Sequence, residues 1–191
     1  MKNSSLYLKL GAVAAMAILL AVLFFHSKRQ DDAFEQPGRT LIPAVGPISA
    51  RPRAPELIFE LEDSSKLPVA SLHGKVVHLV FWAEWCEPCR REFAVLQKIA
   101  NEKGQNYKII LINLDEDEDG RNSARALLKE KAIALTAVYR DTRKISELLK
   151  IEALPYHSIL DKEGRIAATF ISGIDDDLPA FNKLLDGLLK E

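Results

Sequence analysis

Cys86 and Cys89 stand two residues apart in the stretch HLVFWAEWCEPCRREF (78–93), and the chain has no other cysteine. Thiols at this spacing serve a metal site, a structural staple or a redox couple. Structural zinc wants four ligands, commonly as two paired sets. This chain offers one Cys pair and four scattered histidines, His26, His73, His78 and His157, so the zinc reading fails. A disulfide across so short a loop removes little chain entropy, so it is a poor staple. Redox chemistry fits the local pattern. Cys86 falls where an apolar run ends and a helical pattern begins, and amides and dipole at a helix N-terminus stabilise a thiolate. The thiolate is the nucleophile of disulfide exchange, which assigns attack to Cys86 and resolution to Cys89, one turn further on. Pro88 suits a first helical turn, where no intrahelical donor is lost. Trp85 reads either as an apolar wall beside the sulfur or as an ordinary packing residue.

The elements that must position this pair are legible from their periodicity. KVVHLVFW (75–82) is a continuous β-branched and apolar run, as in a central strand buried on both faces. After Glu87, Phe93, Leu96 and Ile99 recur at helical spacing up to a stop at Gly104. YKIILINLD (107–115) reads as a second buried strand, GRNSARALLKEKA (120–132) as a helix, LTAVYRD (135–141) as a strand and TRKISELLKI (142–151) as a helix. YHSILDKEGRIAATFISG (156–173) reads as a hairpin about a Lys162-Glu163-Gly164 turn. The last segment is a helix with acids in its first turn, as the macrodipole favours. Upstream, ELIFELE (56–62) alternates as a short strand, with VASLHG (69–74) as its pairing candidate. The fold class expected is α/β: a central mixed sheet with helices on both faces.

Leu6 to Phe25 is apolar but for Lys9, and about 20 apolar residues cross a bilayer as a helix. Lys9 lies near one end, where its stem can snorkel. Small-residue pairs suited to cleavage would leave an apolar remnant, so residues 1–26 read as an uncleaved signal anchor rather than a removed leader. Lys and Arg flank both ends and leave orientation open. Residues 27–55 lose periodicity and are punctuated by prolines, which predicts a semi-rigid tether, with an extra edge strand as the alternative; the domain is then 56–191. A formal net charge of −1 gives no footprint for nucleic acid.

FWAEWCEPC and the later ALPYHSILDKEGRI resemble the thioredoxin superfamily, and within it the TlpA/ResA type of membrane-anchored thiol-disulfide oxidoreductase. Glu87 and Glu92 match the glutamates of ResA-like sequences, one between the cysteines and one three residues after the second. The resemblance implies a thioredoxin-like fold and an enzyme that reduces protein disulfides, the haem-attachment disulfide of apocytochrome c above all. It implies a location outside the cytoplasmic membrane, with electrons returned by a transmembrane dithiol carrier of the DsbD/CcdA type. It implies no small-molecule cofactor, and it makes Pro155 the cis proline facing the sulfurs.

Several positions depart from the pattern. Val80 stands where many thioredoxins carry Asp and many TlpA relatives Asn. If a carboxylate assists proton transfer it is therefore Glu92, otherwise a solvated residue near Arg90 or Arg91. Glu87 reads as a redox-tuning charge or a favourable first-turn acid. Tyr156 and His157 follow Pro155 where relatives often have Thr or Ser, and His157, like His78, reads as an ordinary strand residue. A second function stays open: a copper-handling protein using both thiols and His157, or a reductase of copper-site cysteines. The same cysteines could also run in the oxidising direction.

Overall fold

Residues 42–43 and 45–191 are described by the computed structural model. The seven residues of Val76–Trp82 form β3, and all of them are buried, as an uninterrupted apolar run predicts. In chain order the elements are β1 (Ile58–Glu60), β2 (Lys66–Pro68), β3, α1 (Glu87–Lys103), β4 (Tyr107–Asn113), α2 (Glu118–Glu130), β5 (Thr136–Val138), α3 (Thr142–Leu148), β6 (Tyr156–Leu160), β7 (Ile166–Ile171) and α4 (Leu178–Lys190). The main sheet has five strands in the order β5-β4-β3-β6-β7. β3 pairs parallel to β4 and antiparallel to β6, so the sheet is mixed.

Alternation along β3 divides the core in two. Val76, Val80 and Trp82 pack with Phe93 and Leu96 of α1, Leu127 of α2 and Phe181 and Leu185 of α4. Val77, Leu79 and Phe81 face the other way, against Ile145 of α3 and Leu57 and Phe59 from the β1–β2 segment. Helices thus cover both faces, and the small hairpin shares one of them with α3. Each fully buried large apolar side chain contributes roughly 1.5–3 kcal/mol, enough in sum to fix β3 as the rigid platform behind Cys86.

Two expectations need correction. The partner of β1 is Lys66–Pro68, while VASL forms a 3-10 turn over Val69–Leu72. The chain reverses sooner than the apolar pattern suggests. Asp63 Oδ1 accepts from the Ser65 N–H at 2.9 Å, and the Leu61 N–H donates to the Ser65 carbonyl at 2.9 Å. Ser64 takes the left-handed conformation, φ 66°, that closes this loop.

The second correction concerns the tether, expected to run to Pro55. Ile42 is already buried in the core that carries Phe181 and Leu185. Downstream, Arg53 bridges Arg165 in antiparallel fashion, the Ile166 N–H donates to the Pro52 carbonyl at 2.8 Å, and the Ala54 N–H donates to the Gly164 carbonyl at 3.0 Å. Prolines cannot donate but can accept, so a Pro-punctuated segment still caps the start of edge strand β7. The anchor expected at 1–26 lies outside the described residues. Among the described residues no helix is long and apolar enough to cross a membrane.

Arg51 locks this segment down. Its buried guanidinium reaches Asp161 at 3.1 Å and Glu191 at 2.6 Å. Asp161 also accepts from the Arg165 side chain at 2.8 Å and the Arg165 N–H at 2.8 Å, so it keeps partners when Arg51 is lost. Arg51→Ala is therefore expected to cost about 2 kcal/mol, the scale of a charge-assisted hydrogen bond, rather than that of an orphaned buried ion. Urea denaturation should show a lower midpoint with an unchanged slope; an unchanged midpoint would mean that the segment adds nothing to the domain.

Candidate active site

β3 ends at Trp82 and α1 begins at Glu87, so the intervening loop carries Cys86 to the helix N-terminus. Cys86 is the N-cap, and its Sγ accepts from the Cys89 N–H at 3.3 Å. The cysteines are joined as a disulfide with Cα atoms 5.3 Å apart. Cys89 is fully buried and Cys86 keeps 4% exposure, so Cys86 is the less enclosed of the two. Pro88 occupies the first turn of the helix, as its missing donor allows.

The loop is pinned from below by residues that the pattern of the sequence passes over. Asp115 Oδ2 accepts from the Glu84 N–H at 2.9 Å and from Asn113 Nδ2 at 2.7 Å. The Leu114 N–H donates to the Trp82 carbonyl at 2.8 Å. Asp115 ends the run YKIILINLD, which reads as a buried strand and assigns the aspartate no role of its own. The available signal was its position two residues after a buried Asn at the end of a central strand.

Trp85, next to Cys86 in the chain, is 69% exposed, so its ring is not core packing. Glu87 is exposed, 3.7 Å from Arg90, which also lies 3.8 Å from Glu84. The Leu154–Pro155 bond is cis. Pro155 precedes β6, whose Tyr156 pairs with Phe81 near the end of β3, so it lies at the same end of the sheet as Cys86.

Glu92 is not a solvated helix residue. Its side chain is fully buried, and Oε2 accepts from the Ile174 N–H at 3.0 Å. Arg91, its expected surface companion, instead faces Asp175 at 3.5 Å and Asp176 at 3.7 Å. Burial pushes the Glu92 carboxyl up to about 8, with the charges of Asp175 and Asp176 adding to the rise, against the Ile174 hydrogen bond and Arg91. Glu92 and Cys89 both lie on the buried face of α1, three residues apart and therefore neighbours on the helix.

His78 and His157 are more than ordinary strand residues. Both are fully buried, with His78 Nε2 2.9 Å from His157 Nδ1. The His157 ring stacks on Phe170, centroids 4.5 Å apart. Burial depresses both rings, His157 to about 3 and His78 well below the ordinary range, with His157 adding to the effect on His78. His157, the third ligand a copper site would need, is thus committed to His78. Among the described residues no group of three or more His, Cys, Asp or Glu side chains is placed to hold a metal ion.

Comparison with known proteins agrees with this geometry. The chain is 26% identical over 120 residues to the thiol-disulfide oxidoreductase ResA of Bacillus subtilis, a match spanning 62% of this chain and 65% of that protein. It is 21% identical over 178 residues to ResA of Halalkalibacterium halodurans, covering 93% of this chain and 92% of the relative. The crystal structure of a DsbF homologue from Corynebacterium diphtheriae superposes with a TM-score of 0.63 at 26% identity, covering 78% of this chain and 97% of the other. The model of the AhpC/TSA family matches residues 51–169, from the docked segment into β7. With its mixed sheet, its Cys86–Cys89 disulfide at a helix N-terminus and a match over more than half its length, the chain belongs to the thioredoxin-like AhpC/TSA family.

Proposed function

We infer that this chain is a membrane-tethered thiol-disulfide oxidoreductase working as a dithiol reductase of protein disulfides outside the cytoplasmic membrane, in cytochrome c maturation or related redox work. The observation that carries the reading is the Cys86–Cys89 disulfide capping α1, with Cys86 Sγ held by the Cys89 N–H. Opening that bond leaves Cys86 as a thiolate stabilised by the helix N-terminus. The thiolate attacks one sulfur of the partner disulfide, and the partner's other sulfur leaves and takes a proton. Cys89 then gives its proton to Glu92 and attacks Cys86 Sγ, and the partner's remaining thiolate leaves. Two electrons pass from the pair to the partner and the protein disulfide is restored. A transmembrane dithiol carrier of the DsbD/CcdA type is the donor that would reopen it. The apolar run Leu6–Phe25 supports the tether, and the relatives named ResA support the reaction class. Exposed Trp85 offers the partner an apolar contact beside the nucleophile.

The reduction potential of the Cys86/Cys89 couple tests the direction. A value at or below about −270 mV, the thioredoxin level, is expected. A value near about −120 mV, that of a strong oxidant, would turn the electron flow around and overturn the reductase.

A further inference from the structure

Four polar side chains form a row between the sheet and the helices α1 and α4. Glu92 Oε2 stands 3.5 Å from His157 Nε2, His157 Nδ1 is 2.9 Å from His78 Nε2, and His78 Nδ1 is 2.5 Å from Tyr107 Oη. Glu92, His157 and His78 are fully buried, and Tyr107 keeps 4% exposure. Glu92 comes from α1, and three separate strands supply the rest: β6, β3 and β4. His157 lies directly across from Val80 in the β3–β6 register, so it points to the same face as Val80. The polar group that the active-site strand lacks at Val80 is thus present one strand over.

The link between His157 and Glu92 is longer than a hydrogen bond. Among the described residues Glu92 Oε1 and His157 Nε2 have no hydrogen-bond partner. Buried polar atoms are rarely left so; His157 Nε2 lies across the gap from Glu92 Oε2, the oxygen that accepts from the Ile174 N–H. At the other end Tyr107 lines a surface hollow with Lys75, Gln97, Asn101 and Lys108.

We propose that Tyr107, His78 and His157 form a proton relay that loads and unloads Glu92 from the surface hollow at the far end of β3 and β4. A neutral imidazole has one donor and one acceptor nitrogen, so the row has two polarities. With Glu92 ionised, the Tyr107 O–H donates to His78 Nδ1, the His78 Nε2–H to His157 Nδ1, and the His157 Nε2–H faces the carboxylate. A proton arriving from the hollow binds Tyr107 Oη as the tyrosine's own proton moves to His78 Nδ1. The His78 Nε2 proton then moves to His157 Nδ1, and the His157 Nε2 proton to Glu92. One proton enters, Glu92 is neutral, both rings have changed tautomer, and no electron moves. The return of the proton to the hollow restores the first polarity. Formation of the dithiol consumes protons and its reoxidation releases them, so the two polarities alternate over one cycle.

Burial keeps both rings neutral, the state the relay needs. The groups facing Glu92 are His157 from β6, the Ile174 N–H and the carboxylates of Asp175 and Asp176 from the turn before α4, Arg91 from its own helix and, further off, Tyr107 from β4. The rings face each other, Tyr107, and the Ser172 backbone that favours a protonated His157.

The relay's use rests on the exchange reaction proposed above, but its existence can be read without a substrate. In the full chain, solubilised in detergent as the disulfide, 15N NMR should show His78 and His157 moving their protons from Nδ1 to Nε2 as pH rises. Both swaps should share the midpoint of the Glu92 carboxyl, read by 13C. Tyr107→Phe keeps the ring and removes the hydroxyl. The phenol is a better donor than acceptor, so it favours the polarity with Glu92 ionised, and its loss should raise that midpoint by about half a pH unit. Rings that hold one tautomer while Glu92 titrates would overturn the relay, as would a Tyr107→Phe chain with an unmoved midpoint. A chain that reduces no disulfide yet shows coupled swaps would fail the enzymatic reading and keep the relay.

Discussion

Cys89→Ser is expected to hold this chain to its protein partner as a mixed disulfide through Cys86. The exchange has two bond-forming steps, and the substitution removes only the second. Cys86 keeps its place as N-cap, and the N–H of residue 89, now 3.3 Å from its sulfur, still comes from the backbone and still stabilises the thiolate. A serine hydroxyl cannot displace the bound sulfur. The adduct should therefore accumulate on incubation with a disulfide-containing peptide, survive a non-reducing gel and be released by dithiothreitol. Cys86→Ser is the mirror case. It leaves Cys89, which is fully buried, so no adduct should form, and turnover should fall by at least about a thousandfold, as when an enzyme loses its nucleophile. An adduct that forms as readily in Cys86→Ser as in Cys89→Ser would reverse the roles of the two sulfurs.

The positions of these sulfurs were legible because they depend on local pattern. A β-branched run that stops, a proline in a first turn and apolar residues at helical spacing place Cys86 at a strand-to-helix junction whatever surrounds it. What stayed illegible depends on residues far away in the chain. Glu92 sits in CRREF, where the pattern leaves it either a proton-transfer carboxylate or a solvated helix residue. It is buried because Ile174, 82 residues later, folds its N–H over the carboxylate. His78 and His157 are 79 residues apart and make a pair only once β6 is laid against β3. Arg51 looked like part of a tether because its partner Asp161 is 110 residues away. The early reversal after β1 is a different failure: the turn chemistry of Asp63 and Ser64 outweighed the apolar signal of VASL. In each case a single long-range or turn contact, which periodicity does not carry, decided the outcome.

Glu92→Gln is expected to remove the loss of stability that a buried carboxyl imposes between mildly acid and alkaline pH. Burial raises the folded-state carboxyl from its ordinary 4.5 to about 8. Between those values the folded state keeps a proton that the unfolded chain has lost, so stability falls as pH rises. The contribution is fully present below about 4.5, declines through the interval and is gone above about 8. The span corresponds to several kcal/mol, on the order of 5, at 1.36 kcal/mol per pKa unit. Glutamine matches the neutral carboxylic acid in shape and never ionises, so the variant should lack this slope. Denaturation midpoints at pH 5 should then be similar for the two chains, because both are neutral at residue 92 when folded. At pH 9 the variant should be the more stable, by a few kcal/mol. It keeps an acceptor for the Ile174 N–H, now 3.0 Å from Oε2, so the comparison isolates the charge rather than the contact. Parallel pH profiles for the two proteins would mean that Glu92 titrates like a surface carboxylate, and the buried proton store beneath Cys89 would go with it. The functional counterpart has the opposite sign. A glutamine can neither take the Cys89 proton nor return it, so the variant should gain stability in alkali while its resolving step slows. That combination, a more stable protein with a slower exchange, is the mark of a charge kept in the core for chemistry rather than for folding.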